Sequence, residues 1–182
     1  IIMSYASNME KLLISATGSQ AFYVPFKDKV RVVIASNTPR DTFKIDILLD
    51  VIGDDLVEKL ERDLNLTDEL EIEKVLSRLN DMLKEKGLIE ELEYNITDKS
   101  LILEIKKPVT LKLHEDLSSI APKTYSYLGC PLTSAIIVLV VKMLGETFTT
   151  NFKLEDDIVK VLLKSVNLGF TRVVQNDKRV LA

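Results

Sequence analysis

Every residue from Ala135 to Val141 is apolar, and the next charged side chain is Lys142. Helix punctuation frames this run. Pro131 suits a first helical turn, where a missing N–H costs nothing, and Gly145 follows the last apolar residue. A helix with no polar face must be enclosed on all sides. Seven apolar residues fall short of the ~20 that a membrane span needs. The pattern therefore predicts a buried central helix opened by Cys130-Pro131. Thr133, Ser134 and Ala135 are small, so another backbone can approach the start of this helix closely, or space is left there.

The rest of the chain must supply the enclosure. Its 182 residues are read as a single α+β domain spanning 1–182, large enough to bury a core without disulfides or metal. Tyr5, Met9, Leu12, Leu13 and Ala16 recur at helical spacing. Residues 21–26 and 30–35 are rich in β-branched and aromatic types and read as a hairpin turning at Lys27-Asp28-Lys29. Ile45, Leu48, Leu49, Ile52, Leu56, Leu60 and Leu64 form a helical stripe over 45–64, divided at Gly53-Asp54-Asp55. Asp68 and Glu71 have the spacing of a capping pair before a helix whose buried face is Ile72, Val75, Leu76, Leu79, Met82 and Leu83.

After Gly87 the period changes to two. Leu92, Tyr94 and Ile96, then Leu101, Leu103 and Ile105, then Val109, Leu111 and Leu113 alternate with other residues. This predicts a three-stranded antiparallel β-meander over 92–113, covered by helices on one face. Residues 114–129 show little periodicity. Phe148, Thr150 and Phe152 read as a strand, 154–164 as a helix begun by Glu155-Asp156-Asp157, and 170–181 as a terminal hairpin.

Charge and motifs narrow the chemistry. The formal net charge is −4, which disfavours a nucleic-acid binder. Lys106-Lys107 and Lys27-Asp28-Lys29 carry no interleaved aromatics and read as solvated strand ends and turns. The single cysteine excludes an intrachain disulfide and a cysteine zinc cluster, and is consistent with a reducing, cytoplasmic setting. Residues 1–5 lack the pattern of a signal peptide. The six glycines form no phosphate-binding loop, and neither G-x-S-x-G nor H-E-x-x-H occurs. Asp54-Asp55 and Glu155-Asp156-Asp157 are explained by helix starts without metal. The only histidine, His114, is expected as a surface residue at a strand end. The weaker alternative is a Cys130–His114 dyad, with the thiol at a helix N-terminus. No catalytic residue, metal site or cofactor is expected.

The helix ending at Gly87, the meander, and Gly129-Cys130-Pro131-Leu132 opening a buried helix that ends at Leu144-Gly145 before another strand resemble the hydrocarbon-binding 4-vinyl-reductase domains. Those domains resemble in turn the small TRAPP-type subunits and the haem-based nitric-oxide sensor domains. The resemblance covers about residues 68–153, with the 154–164 helix as an addition. It implies a dimeric sensory or scaffolding domain with a pocket for small apolar molecules. Metal-binding members have several cysteines and this chain has one, so zinc does not carry over. His114 lies in no haem-ligand motif, so haem does not either.

The resulting expectation is a non-enzymatic, regulatory or ligand-binding domain, with a small apolar molecule and a second copy of the chain as partners. A structural adaptor acting through an oligomeric interface comes second, and an enzyme third. Tyr127, Cys130, Ser134, Ile136 and Leu139 are the expected pocket or interface residues.

Overall fold

A computed structural model describes residues 2–15, 18–26, 29–37, 43–50, 54–65, 71–97 and 99–166. The elements, in chain order, are α1 (Ile2–Ser15), β1 (Ser19–Phe26), β2 (Lys29–Asn37), β3 (Phe43–Asp50), α2 (Asp54–Leu64), α3 (Ile72–Glu85), β4 (Glu91–Ile96), β5 (Ser100–Lys106), α4 (Leu111–Ile120), α5 (Pro122–Leu128), α6 (Pro131–Leu144), β6 (Phe148–Glu155) and β7 (Ile158–Ser165). The strands form one seven-stranded sheet in the order β3-β2-β1-β6-β7-β5-β4. Every pairing is antiparallel. The fold is α+β, and the expected buried helix is its centre.

Ten successive residues of α6, from Leu132 to Val141, are buried. The helix lies against β1, β2, α2 and α3, so the sheet and two amphipathic helices supply its neighbours. Ala21, Tyr23, Val32, Ile34, Leu103, Ile105, Val161 and Leu163 of the strands join α6 in one continuous core. Phe22, Val24, Val33, Ala35 and Ile45 form a second buried cluster. They alternate with the first set along β1 and β2, and so lie on the opposite face of the sheet.

Residues 45–50 are a strand, not the helix their apolar spacing predicted. The register against β2 shifts between Ile34 and Ala35. Ile47 and Leu49 consequently pack on the main core, while Ile45 and Leu48 pack on the second cluster. A strand buried on both faces needs no polar alternation. The break at Gly53-Asp54-Asp55 is where α2 begins.

The first two meander strands form as β4 and β5. The expected third strand, 109–113, does not. Leu111 begins α4, and the place beside β5 is taken by β7. Three alternating apolar residues are too few to separate the two periods. Leu113 also fits a helix whose inner face is His114 and Leu117. The expected 154–164 helix is likewise a hairpin. Asp156 turns it with φ 53°, a left-handed value that aspartate tolerates. Val159, Val161 and Leu163 alternate inward. The aperiodic stretch 114–129 contains α4 and α5, and the expected hairpin at 170–181 lies outside the described residues.

The N-cap of α3 is Glu71, which makes no side-chain capping bond. Asp68, the expected capping partner, lies outside the described residues. Glu71→Ser would place a capping hydroxyl on a residue already extended at φ −62° and ψ 140°. This substitution is expected to raise stability by ~0.5–1 kcal/mol, read as a higher urea midpoint. An unchanged or lower midpoint would reject the cap assignment. Its loss of the exposed Glu71–Lys74 ion pair, at 3.1 Å, is a small opposing effect.

One stretch of the described residues, Pro122–Leu144, is long and apolar enough to cross a membrane by length and composition. Gly129 divides it into α5 and α6, and 72% of its most apolar window is buried by the rest of the chain.

Candidate functional site

Among the described residues, polar side chains gather at an enclosed place and at an open one. The first is enclosed where α4, α5 and α6 meet. Cys130 is the N-cap of α6, with extended backbone at φ −104° and ψ 165°. Thr133 Oγ1 accepts the Cys130 N–H at 3.1 Å, and the Cys130 sulfur accepts in return from the Thr133 backbone. Cys130 Sγ also lies 2.9 Å from His114 Nε2 and 3.4 Å from Thr110 Oγ1. His114 Nδ1 is 3.1 Å from the Tyr125 hydroxyl. On the far side of the same helix start, the Tyr23 hydroxyl is 3.4 Å from Ser134 Oγ and donates to the Leu128 carbonyl at 3.3 Å.

This corrects the expectation for His114. It is neither at a strand end nor exposed: it is buried in α4 and touches Cys130. The sequence contained a signal that was missed. His114, Leu117 and Ala121 stand at i, i+3 and i+7, so a helix carrying Leu117 inward carries His114 inward too. Burial lowers the imidazole pKa to about 4, so His114 is neutral at pH 7. Burial, with a smaller contribution from Cys130, pushes the Tyr125 phenol up to about 12. Burial raises Tyr23 as well, against a lowering by its bond to Ser134.

The thiol–imidazole geometry meets the distance requirement for a nucleophile and its base. Access does not, because Cys130 and His114 are both 0% exposed. The arrangement is a polar chain that fixes three helices against one another. Satisfied buried networks of this kind impose a unique packing.

The second place is open. β1 and β6 pair only through Phe22–Thr149 and Tyr23–Phe148, although both strands run on beyond Phe22 and Thr149. The sheet forks there. The opening is a cavity of about 360 Å³, lined among the described residues by β1 (Ser19, Gln20, Ala21), α5 (Ser126, Tyr127), β6 (Thr149, Thr150, Asn151) and β7 (Leu162, Lys164). That volume falls within the range of small-molecule sites.

The walls are held by identifiable bonds. Glu10 of α1 accepts the Thr124 N–H at 2.8 Å and the Lys123 N–H at 3.2 Å, at the N-terminus of α5. Lys123 Nζ donates to the Leu13 carbonyl at 3.1 Å in return. With α5 so placed, the Tyr127 hydroxyl donates to the Ser19 carbonyl at 2.7 Å across the fork. Desolvation, and then the nearby Glu10 charge, raise the Tyr127 pKa. Ser19 Oγ donates to Asp46 at 2.9 Å. Among the described residues, the buried Thr150 Oγ1 has no hydrogen-bond partner, a condition that costs free energy unless a bound molecule or water meets it.

The structure does not gather the five expected residues into one pocket. Tyr127 lines the fork. Cys130 and Ser134 belong to the enclosed polar chain. Ile136 and Leu139 are 0% and 1% exposed within the core. The other fork residues left no sequence signal, because the opening arises where two hairpins diverge in space.

Among the described residues, no group of three or more His, Cys, Asp or Glu side chains is placed to hold a metal ion. No family model, curated protein or solved structure matches the chain.

Proposed function

We propose that the chain is a non-enzymatic binding domain whose small-molecule site is the fork between β1 and β6. One observation carries this reading: the sheet opens where both strands continue, and Thr150 Oγ1 in the opening lacks a partner among the described residues. Hydroxyl and amide groups there would pair with polar groups of the ligand, where the sequence pattern pointed to an apolar one. Leu162 and Ala21 supply an apolar contribution. A regulatory output is part of the proposal. α5 contributes Tyr127 to the fork and Tyr125 to the buried chain, and is tied to α1 through Glu10. A ligand that moves α5 therefore bears on both.

Native mass spectrometry of freshly purified protein tests the reading. The expected result is a small-molecule mass retained under native conditions, lost on denaturation, and absent from Asn151→Trp. Asn151 is exposed, so the indole fills the mouth of the fork without disturbing the core, and an unchanged melting temperature checks this. A retained mass unaffected by Asn151→Trp would overturn the assignment. So would an empty wild-type protein that no small molecule stabilises.

A second reading is an adaptor that acts through a homodimer interface. Leu12 and Ile14 on α1 and Ile120 at the end of α4 favour it, being 56%, 57% and 56% exposed. The same spectra report the oligomeric state, and an empty dimer would favour this reading.

A further inference from the structure

We infer that the fork takes a small molecule bearing one negative group, a carboxylate or its chemical equivalent, among neutral hydrogen-bonding groups. The inference rests on the fork being the ligand site and names the class of ligand. Its basis is the charge of the lining. Lys164 is the one charged residue among the described lining residues; the others are hydroxyl, amide, phenol and apolar groups.

Lys164 also stands at the apex. It pairs with Thr149 across β6–β7, and Thr149 pairs with Phe22 at the last contact before the strands separate. Thr149 and Asn151 on β6 face Lys164 and Leu162 on β7, so all four share one side of the sheet. Ser126 and Tyr127 approach from the helical side. The opening thus passes through the sheet, and a ligand in it reaches donors on both faces.

Among the described residues, no carboxylate is paired with this lysine. Lys153 and Lys160 both pair with Glu155, and Lys160 also pairs with Glu104 at 3.3 Å. Asp46 accepts from Ser19 Oγ. Glu10 is occupied by the backbone of Lys123 and Thr124 and by Thr124 Oγ1 at 3.0 Å. An anion at the apex would take a charge-assisted bond from Lys164, while its neutral groups met Thr150 Oγ1 and the Gln20 and Asn151 amides.

Matched probes separate charge from shape. Calorimetric titration of the full chain would use glucuronate, glucose and glucosamine, which share a pyranose frame, and N-acetylglycine against N-acetylglycinamide. In each set the anion is expected to bind at least about tenfold more tightly than its neutral partner. Lys164→Gln should erase that preference and leave the melting temperature unchanged, since Lys164 is exposed. Equal affinities for anion and neutral partner would overturn the inference. So would a preference that survives Lys164→Gln, or anions that do not bind. A neutral probe that binds wild type but not Asn151→Trp would remove the charge assignment and keep the fork as the site. Absence of binding by every probe, with no co-purified mass, would remove both.

Discussion

Lowering the pH from 7 to 4 is expected to cost the folded chain about 3 kcal/mol through one residue, His114. The imidazole is buried between Cys130 and Tyr125, with no carboxylate in contact with it among the described residues. Burial holds its pKa at about 4, against an ordinary value of 6.5. Above pH 6.5 both folded and unfolded chains carry neutral imidazole, and His114 adds no pH dependence. As pH falls through 6.5, the unfolded chain takes up a proton that the folded chain refuses. Stability therefore drops between 6.5 and 4, and the loss levels off below the folded pKa. The size follows from the difference of about 2.5 pKa units at ~1.4 kcal/mol each.

Carboxylates lose stability in acid too. Lys106 lowers the Glu91 pKa, and Lys153 and Lys160 lower that of Glu155, so their pairing weakens as they take up protons. A difference measurement removes them. His114→Gln keeps hydrogen-bonding capacity but cannot be protonated in this range. Urea unfolding at pH 7, 6, 5 and 4 should show a variant less stable at pH 7 by ~1–2 kcal/mol. The gap should close, or reverse, by pH 4. Parallel pH profiles for the two proteins would mean that His114 is not neutral and sealed in the native state.

The parts of this fold that could be read in the sequence share a physical cause. α3 is long enough for a helical period to repeat several times, α6 is an unbroken apolar run framed by Pro131 and Gly145, and hairpins β1–β2 and β4–β5 have strands whose local preference agrees with their burial. The misread segments are short apolar runs that satisfy two periods at once. In 45–50 both faces are buried, so alternation is absent. In 158–163, Ile158, Val161 and Leu162 make a helical face, while Val159, Val161 and Leu163 make a strand face. Only pairing with β5 and β6 decides between them. Neither candidate site was legible as a whole. The polar chain needs His114 of α4 to meet Cys130 of α6, sixteen residues away. The fork depends on a ladder that stops after two residue pairs. Such features depend on contacts distant in sequence, which a local pattern does not encode.

Gly129→Ala is expected to destabilise the chain by about 3–5 kcal/mol, much of it from crowding at the joint between α5 and α6. Gly129 closes α5 with its N–H on the Tyr125 carbonyl, at φ 65° and ψ −149°. Residues with a side chain pay ~1–3 kcal/mol in that region. The added methyl would also lie 2.8 Å from Thr133 Oγ1 and 2.8 Å from Cζ of the Phe152 ring. Overpacking of this kind costs a further ~1–3 kcal/mol. Neither neighbour can yield freely. Thr133 Oγ1 donates to the Cys130 carbonyl at 3.0 Å and accepts its N–H, so displacing it loosens the cap of α6. Phe152 lies against Tyr125, with ring centres 6.1 Å apart, and Tyr125 holds His114. Gly87→Ala is the control. Gly87 has φ 67°, but a methyl there meets nothing within 4 Å, so that variant should carry backbone strain alone. Unfolding free energies should therefore place Gly129→Ala below Gly87→Ala by about 2 kcal/mol. Equal costs would show that the close approach of α5, α6 and β6 does not constrain residue 129, and that only its backbone angle does.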